Sequence, residues 1–135
     1  MALSRKQSRE VAFRLLFSLA APNDDELNLA CPDDKPTGPE LQYIQGLVTA
    51  VTDNITEIDE IISSYCQGFT LERLVKTDLT ALRLAIGEIK FFGHTPTAVA
   101  LNEAVEIAKK YGSEKSGGFV NGVLATFVKE HGDAK

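Results

Sequence analysis

Apolar residues recur at the three- and four-residue spacing of amphipathic helices along almost the whole chain. The first helix is predicted from about Ser4 to Ala20. Ser4 and Gln7 have the spacing of a capping box at its start. Its expected buried stripe follows four-residue steps and comprises Val11, Leu15 and Leu19, with Ala12 and Leu16 beside them. Pro22 is expected to end this helix.

A long acidic loop is predicted over residues 22–38, which are rich in Pro, Asp and Asn, and we expect it to be flexible. A second helix should run from about Pro39, a residue that suits the first helical turn, to Asn54. Its stripe comprises Leu41, Ile44, Val48 and Val51. Thr56 is the predicted N-cap of a third helix, whose apolar face comprises Ile58, Ile61, Ile62 and Tyr65.

The second half of the chain predicts a short helical turn within residues 70–75 and three longer helices. The first of the three should be capped by Thr77, end at Gly93 and be buried over a wide arc, with Leu79, Leu82, Ile86 and Ile89 inside. The next is predicted from Thr97 to Tyr111, and the last follows a polar loop at residues 113–118. No alternating pattern is long enough for a sheet, so we expect an all-α fold of about seven helices.

The composition is that of one globular domain, and we assign residues 1–135 to it. The chain has 135 residues, of which 44% are hydrophobic, and a net charge of −5. This charge excludes a uniformly basic nucleic-acid coat. A local basic patch remains, because residues 1–14 have a net charge of +3. Such a patch can attract an anionic partner within the screening distance of about 8 Å.

We expect a cytoplasmic protein with reduced thiols and no membrane segment. No apolar run approaches the ~20 residues that cross a bilayer. The N-terminus lacks the apolar region of a signal peptide. Cys31 and Cys66 are too few for a disulfide framework or a zinc site, and Cys66 on an apolar helix face is expected to be a buried, inert thiol.

The sequence contains no clear set of catalytic residues. We therefore predict that the protein is not an enzyme and binds neither a cofactor nor a metal. His94 and His131 have no Cys, Ser or Asp at the spacing of a triad or a metal pair. Glu103 and Glu106 share a helix face without the histidines of a di-iron motif. We expect these glutamates to have a surface role instead, in which Glu106 forms an ion pair with Lys110.

Two regions have the chemistry of nucleic-acid binding. Gly117 and Gly118 precede the last helix, whose free amides favour a phosphate, and Phe119 could stack on an unpaired base. The alternative is that the glycines only turn the chain and Phe119 packs in the core. At the start of the first helix, Lys6 and Arg9 share a face near Arg5, and the alternative is a solvated helix start.

The order and spacing of several blocks closely resemble the NusB family of bacterial transcription antitermination factors. The N-terminal block is Arg9-x-x-Ala12-x-x-Leu15-Leu16-Phe17. The later blocks are Ala81-Leu82-Arg83-Leu84-Ala85, Glu88-Ile89, Pro96 with Val99 through Gly112, and Ser116 with Phe119 through Leu124. Apart from the acidic loop, the resemblance covers nearly the whole chain.

This resemblance implies a fold of two packed three-helix bundles and a set of partners. They are single-stranded boxA RNA of ribosomal RNA leaders, the small-subunit ribosomal protein NusE, and the RNA polymerase antitermination complex. The implied RNA-binding residues are Arg5, Lys6, Arg9, Lys115, Ser116, Phe119 and Asn121. The implied NusE-facing residues are Phe17, Tyr65 and Asp78.

A second hypothesis is a helical protein–protein adaptor or homodimer with weak or lost RNA binding. The small basic patch and the net charge of −5 favour it. Many family members have more arginines at the N-terminus and a basic residue or His where this chain has Gly117-Gly118. A third hypothesis is an enzyme, since NusB-like domains precede some RNA methyltransferase domains. The chain has no room for such a domain and no Gly-rich loop for S-adenosylmethionine.

Overall fold

A computed structural model describes residues 4–20, 38–66, 70–93 and 95–132, and within these ranges it has helices and no strand. The six α-helices are α1 (Arg5–Ala20), α2 (Gly38–Thr52), α3 (Ile55–Tyr65), α4 (Lys76–Ile86), α5 (Thr97–Tyr111) and α6 (Ser116–Phe127). The predicted all-α fold is confirmed, and the expected short turn is a 3-10 helix at Leu71–Arg73. Apart from Gly38, the predicted acidic loop lies outside the described residues, as does His94.

Helix ends follow the predicted local chemistry at several points. The capping box is present, with the Ser4 amide donating to Gln7 Oε1 at 2.8 Å and the Gln7 amide donating to Ser4 Oγ at 3.0 Å. A π-helical segment (Gly87–Phe92) extends α4 and ends at Gly93, whose φ of 75° suits a glycine. A similar segment (Val128–Gly132) extends α6.

Two predicted caps are wrong. Helix α3 begins at Ile55, before Thr56, and the preceding Asn54 donates its side-chain amide to the Ala50 carbonyl rather than capping the helix. Helix α4 begins at Lys76, so Thr77 lies inside its first turn without capping it. In both helices the residue before the first turn makes no side-chain capping hydrogen bond.

Helix α4 is the centre of the molecule and is buried around most of its circumference, as predicted. It contacts α1, α2, α3, α5 and α6. Leu82, Leu84 and Ile86 are fully buried. Helices α1 and α2 pack on each other and on α4 or its extension, and α5 and α6 pack on each other and on α4. Helix α4 therefore lies between the α1–α2 pair and the α5–α6 pair, and α3 also packs against it. At Gly87, a side chain would clash with Val51 of α2.

The buried face of α1 differs from the predicted stripe. Leu15 and Leu19 are 48% and 64% exposed. The face that packs inward also includes two polar residues and comprises Ser8, Arg9, Val11, Ala12, Phe13, Leu16 and Phe17. Val11, Ala12 and Leu16 are buried as predicted, and the prediction is wrong for Leu15 and Leu19. The buried face also accommodates Ser8 and Arg9, because a paired polar side chain can lie inside.

Leu82→Ala tests the central position of α4. We expect a loss of about 2–5 kcal/mol in the free energy of unfolding, because the substitution leaves a cavity in a fully buried site. Leu15→Ala removes the same side chain from an exposed site and should change stability by only about 0.5 kcal/mol. Urea titration of both variants measures the difference. A loss below about 1 kcal/mol for Leu82→Ala would contradict the packing described.

Candidate nucleic-acid interface

The first candidate surface is a cleft between the start of α1 and the start of α5. It has a volume of about 410 Å³ and is lined by Arg5, Lys6, Arg9, Thr95, Pro96, Val99 and Glu103. Arg5 and Lys6 are exposed at its rim. Val99 is 44% exposed and, with Pro96, gives the cleft an apolar wall. The three basic residues predicted from the sequence thus lie together, and the structure adds apolar neighbours from α5.

Arg9 lies at the floor of this cleft and is only 2% exposed. Its Nε and Nη2 donate to Glu88 Oε1 and Oε2 at 2.9 and 2.7 Å, which is a bidentate pair. Its Nη1 lies 3.7 Å from Glu103 Oε1. Arg9 was expected to contact phosphate, or otherwise to be solvated at the helix start. The solvated alternative is wrong, and in this structure the Arg9 guanidinium is occupied by carboxylates.

The Glu88 carboxylate accepts two further hydrogen bonds. Tyr43 and Thr95 donate their hydroxyls to Glu88 Oε2 at 2.8 and 2.7 Å. Burial alone would raise the pKa of Glu88, but the hydrogen bonds and the Arg9 charge outweigh it and hold that pKa below its ordinary value. Burial and the Glu88 carboxylate raise the pKa of Tyr43 well above its ordinary value. The side chains therefore form a charged, hydrogen-bonded network inside the protein.

Sequence reasoning missed this network, although a signal was present. Glu88 follows Ala85-Ile86-Gly87 on the helix predicted to be most deeply buried. A carboxylate on such a helix requires a cationic partner, because an unpaired buried charge is strongly unfavourable. The basic residues of the first helix were the obvious candidates.

The loop before α6 uses much of its polar chemistry internally. Ser116 is 1% exposed, and its Oγ accepts a hydrogen bond from the Ser113 amide at 2.9 Å. Gly117 is buried, and a Cβ there would lie 2.8 Å from Lys109 Cγ. Lys115 and Gly118 are exposed. The expected close approach of a phosphate backbone is therefore possible at Gly118, while Ser116 shapes the turn.

The second candidate surface is a groove of about 710 Å³ between α3 and α6. It is lined by Ser64, Tyr65, Gly118, Phe119, Gly122, Val123, Thr126 and Glu130. Phe119 is partly buried against the core and also lines the groove. The core-packing alternative is therefore partly correct, and stacking on a base stays a prediction. Asn121 is exposed on α6 but does not line the groove.

The three residues mapped to a protein partner have different environments. Phe17 is 2% exposed and stacks on Phe13. Tyr65 lines the groove beside Phe119, and its hydroxyl donates to Glu130 Oε1 at 2.7 Å. Asp78 is 6% exposed in the first turn of α4, and its Oδ1 has no hydrogen-bond partner within the described part of the chain.

Cys66, Glu103 and Glu106 are the remaining candidates that the structure describes. Cys66 is buried as predicted, and burial raises the pKa of its thiol. The predicted Glu106–Lys110 pair is wrong, because Lys110 Nζ lies 2.7 Å from Glu10 Oε1 and Glu106 pairs with Lys109. Among the described residues, no group of three or more His, Cys, Asp or Glu could hold a metal ion. In the same part of the chain, each helix is too short or too polar to cross a bilayer.

The fold and its surfaces define a small helical binding protein, with a basic cleft and an aromatic groove. The chain belongs to the NusB family, whose model matches residues 6–129. It is 42% identical to the transcription antitermination protein NusB of Agathobacter rectalis, over 93% of this chain and all of that protein. The NusB of Natranaerobius thermophilus is 40% identical, over 90% of this chain and 92% of that protein.

Solved structures show the same fold. NusB of T. maritima superposes with a TM-score of 0.84 at 33% identity, covering 98% of this chain and 95% of that one. A second solved structure is a complex of the antitermination factors NusB and NusE with double-stranded RNA. Its NusB superposes with a TM-score of 0.75 at 30% identity, covering 94% of this chain and 97% of that one. The family is one of antitermination factors and not of enzymes.

The buried Arg9–Glu88 pair should make stability depend on pH in the acid range. The pKa of Glu88 is lowered on folding, so its stabilisation is present above its ordinary value of 4.5 and is lost as pH falls through the lowered value. Glu88→Gln should lower the free energy of unfolding at neutral pH by about 3–5 kcal/mol, because Arg9 loses its buried counter-charge. It should also flatten the acid dependence.

Urea titration between about pH 7 and pH 3 measures both effects. Glu106→Gln is the matched control, because its side chain is 54% exposed and its contact with Lys109 is a surface pair. We expect that control to change stability by about 0.5 kcal/mol or less. Equal pH profiles for the wild type and Glu88→Gln would show that Glu88 is not held as a buried carboxylate.

Proposed function

We propose that this protein is a transcription antitermination factor that binds boxA-type single-stranded RNA in ribosomal RNA leaders together with NusE. In this function the pair helps RNA polymerase pass terminators, within the antitermination complex of the cytoplasm. Residues 1–135 act as one helical domain. The names of the relatives and the solved complex of NusB, NusE and double-stranded RNA support this proposal.

The observation that most directly supports RNA binding is the cleft at the start of α1. Arg5 and Lys6 supply positive charge at its rim, where phosphates can be bound and counterions released. Val99 and Pro96 supply an apolar wall against which a base or ribose can pack. Arg9 supports the floor of the cleft through its pairing with Glu88.

The groove between α3 and α6 is the second RNA contact in this proposal. Phe119 offers a partly exposed ring for stacking, and Gly118 leaves room for the backbone of the ligand. Lys115, which precedes α6, and Asn121 within it are exposed beside the groove, and we propose that they contact phosphates and base edges. Ser116 contributes by fixing the turn that precedes Phe119. Stacking of this kind favours unpaired bases.

NusE is proposed to bind near the start of α4 and the end of α3. Unsatisfied polar atoms mark this region, because the Asp78 Oδ1 and the Thr77 Oγ1 are buried and lack a hydrogen-bond partner among the described residues. Phe17 contributes by positioning the end of α1. Tyr65 lies beside Phe119, and the RNA and NusE surfaces therefore adjoin in this proposal.

A helical adaptor or homodimer is the second candidate. Leu15 and Leu19 lie one turn apart on α1 and are both exposed, which leaves an apolar ridge for another protein chain. Sedimentation separates the candidates, since a dimer that ignores RNA favours the adaptor and a monomer that binds RNA favours the antitermination factor.

A titration with fluorescent boxA-type RNA at two salt concentrations tests the proposal. Lys6→Ala should weaken binding and reduce the slope of log affinity against log salt by about 0.7, because one phosphate contact is lost. Phe119→Ala should weaken binding about ten-fold without changing that slope, because stacking releases no counterions. Lys90→Ala is the matched control, since Lys90 is exposed and lines neither the cleft nor the groove.

The same titration with a base-paired version of the RNA and with NusE completes the test. We expect the single strand to bind more tightly than the duplex, and NusE to raise the affinity. Asp78→Ala should remove the increase due to NusE and leave binding of RNA alone unchanged. Unchanged affinity in both Lys6→Ala and Phe119→Ala would contradict the assigned surfaces, and preference for the duplex would contradict single-strand recognition.

A further inference from the structure

Tyr43 of α2 lies close to two guanidinium groups of α1. Its ring centroid is 3.9 Å from Arg5 Cζ and 5.9 Å from Arg9 Cζ. Its hydroxyl donates to Glu88 Oε2 at 2.8 Å. Tyr43 is therefore joined at its hydroxyl to the buried network and at its ring face to an exposed arginine of the cleft.

We infer that Tyr43 is a positioning residue for RNA binding, because its ring, anchored through Glu88, holds the Arg5 guanidinium at the rim of the cleft. The inference rests on the proposed function and adds to it a residue with no direct RNA contact. Tyr43 is only 7% exposed, so it cannot itself offer a face to a base. Its effect on RNA is transmitted through Arg5.

The anchoring has three steps, each a close contact. Arg9 and Thr95 fix the Glu88 carboxylate from α1 and from the connection before α5. Glu88 then fixes the Tyr43 hydroxyl, which sets the orientation of the ring. The ring supports the planar, delocalised guanidinium of Arg5 by a cation–π contact.

This arrangement favours RNA binding because it limits the conformations of Arg5 before the RNA arrives. A long, exposed arginine otherwise samples many rotamers, and fixing them on binding costs entropy. Arg5 lines both the cleft and the adjoining cavity that Tyr43, Ser8, Pro39 and Glu40 enclose. The Tyr43 ring therefore forms one side of the space in which the Arg5 side chain lies.

A double-mutant cycle between Tyr43 and Arg5 tests the inference, with binding of boxA-type single-stranded RNA at low salt as the readout. Tyr43→Leu should weaken binding about three- to five-fold in the wild-type protein, the size expected for loss of an exposed cation–π contact. In the Arg5→Ala background it should have no further effect. In the Lys6→Ala background, the matched control, it should again weaken binding three- to five-fold. Thermal unfolding is recorded for every variant.

Tyr43→Phe distinguishes the contribution of the ring from that of the hydrogen bond that anchors it. It keeps the aromatic face toward Arg5 and loses only the hydrogen bond to Glu88, so its affinity should lie between those of the wild type and Tyr43→Leu. If Tyr43→Leu does not fold, the cycle is performed with Tyr43→Phe. The expected result is then a smaller weakening that again disappears in the Arg5→Ala background.

Other outcomes would overturn the inference. If Tyr43 variants weaken binding equally with and without the Arg5 side chain, Tyr43 has a structural role only. If they lower the melting temperature without changing RNA affinity, or if Arg5→Ala itself has no effect, Tyr43 does not position an RNA-binding group. Failure of the wild-type protein to bind RNA, alone and with NusE, would instead contradict the proposed function itself.

Discussion

The buried pair between Arg9 and Glu88 joins the first half of α1 to the segment that extends α4, at the floor of the cleft. Burying two opposite charges is costly unless their geometry is good and their remaining hydrogen-bonding groups are satisfied. Here the pair is bidentate, and Tyr43 and Thr95 supply further hydrogen bonds to the carboxylate. A rotation of α1 or a shift of α2 would break one of these contacts. The pair thereby ties α1, α2 and the extension of α4 to the connection before α5.

The surface chemistry follows from that arrangement. With Arg9 turned inward, Arg5 and Lys6 come to the rim of a cleft whose opposite wall is formed by the start of α5. The same orientation places Leu15 and Leu19 outside, on the far part of α1. An acidic chain can therefore present a small basic surface at one position. The groove at Phe119 lies between other helices and shares no lining residue with the cleft.

Much of the fold follows from local pattern and turn chemistry. Helix α5 occupies the predicted span from Thr97 to Tyr111, and Gly93 ends the extension of α4 with the positive φ that favours glycine. The family could be identified from the blocks around Asn102 and Phe119, where several residue types are needed together. The central, buried position of α4 followed from apolar residues on most of its faces.

Several of the errors share one physical cause. The hydrophobic periodicity of a sequence indicates which face of a helix is apolar. It contains no information on which polar side chains pair with each other across the fold. Arg9 and Ser116 were expected to face the RNA, although both are buried with partners inside the protein. On α1, the predicted stripe was correct for Val11, Ala12 and Leu16 but missed the buried polar residues Ser8 and Arg9. Glu88 was the exception that the sequence could have revealed, because its helix was expected to be buried.

The central claim is that Arg9 is a buried support and that its exposed neighbours contact the RNA. NMR of the arginine Nε–Hε groups, recorded before and after addition of boxA-type single-stranded RNA, tests it most directly. The account predicts that the Arg9 Hε, hydrogen-bonded to Glu88, exchanges slowly with solvent and keeps its shift, while the Arg5 resonance moves. A shift of the Arg9 resonance as large as that of Arg5, with rapid exchange, would contradict the claim.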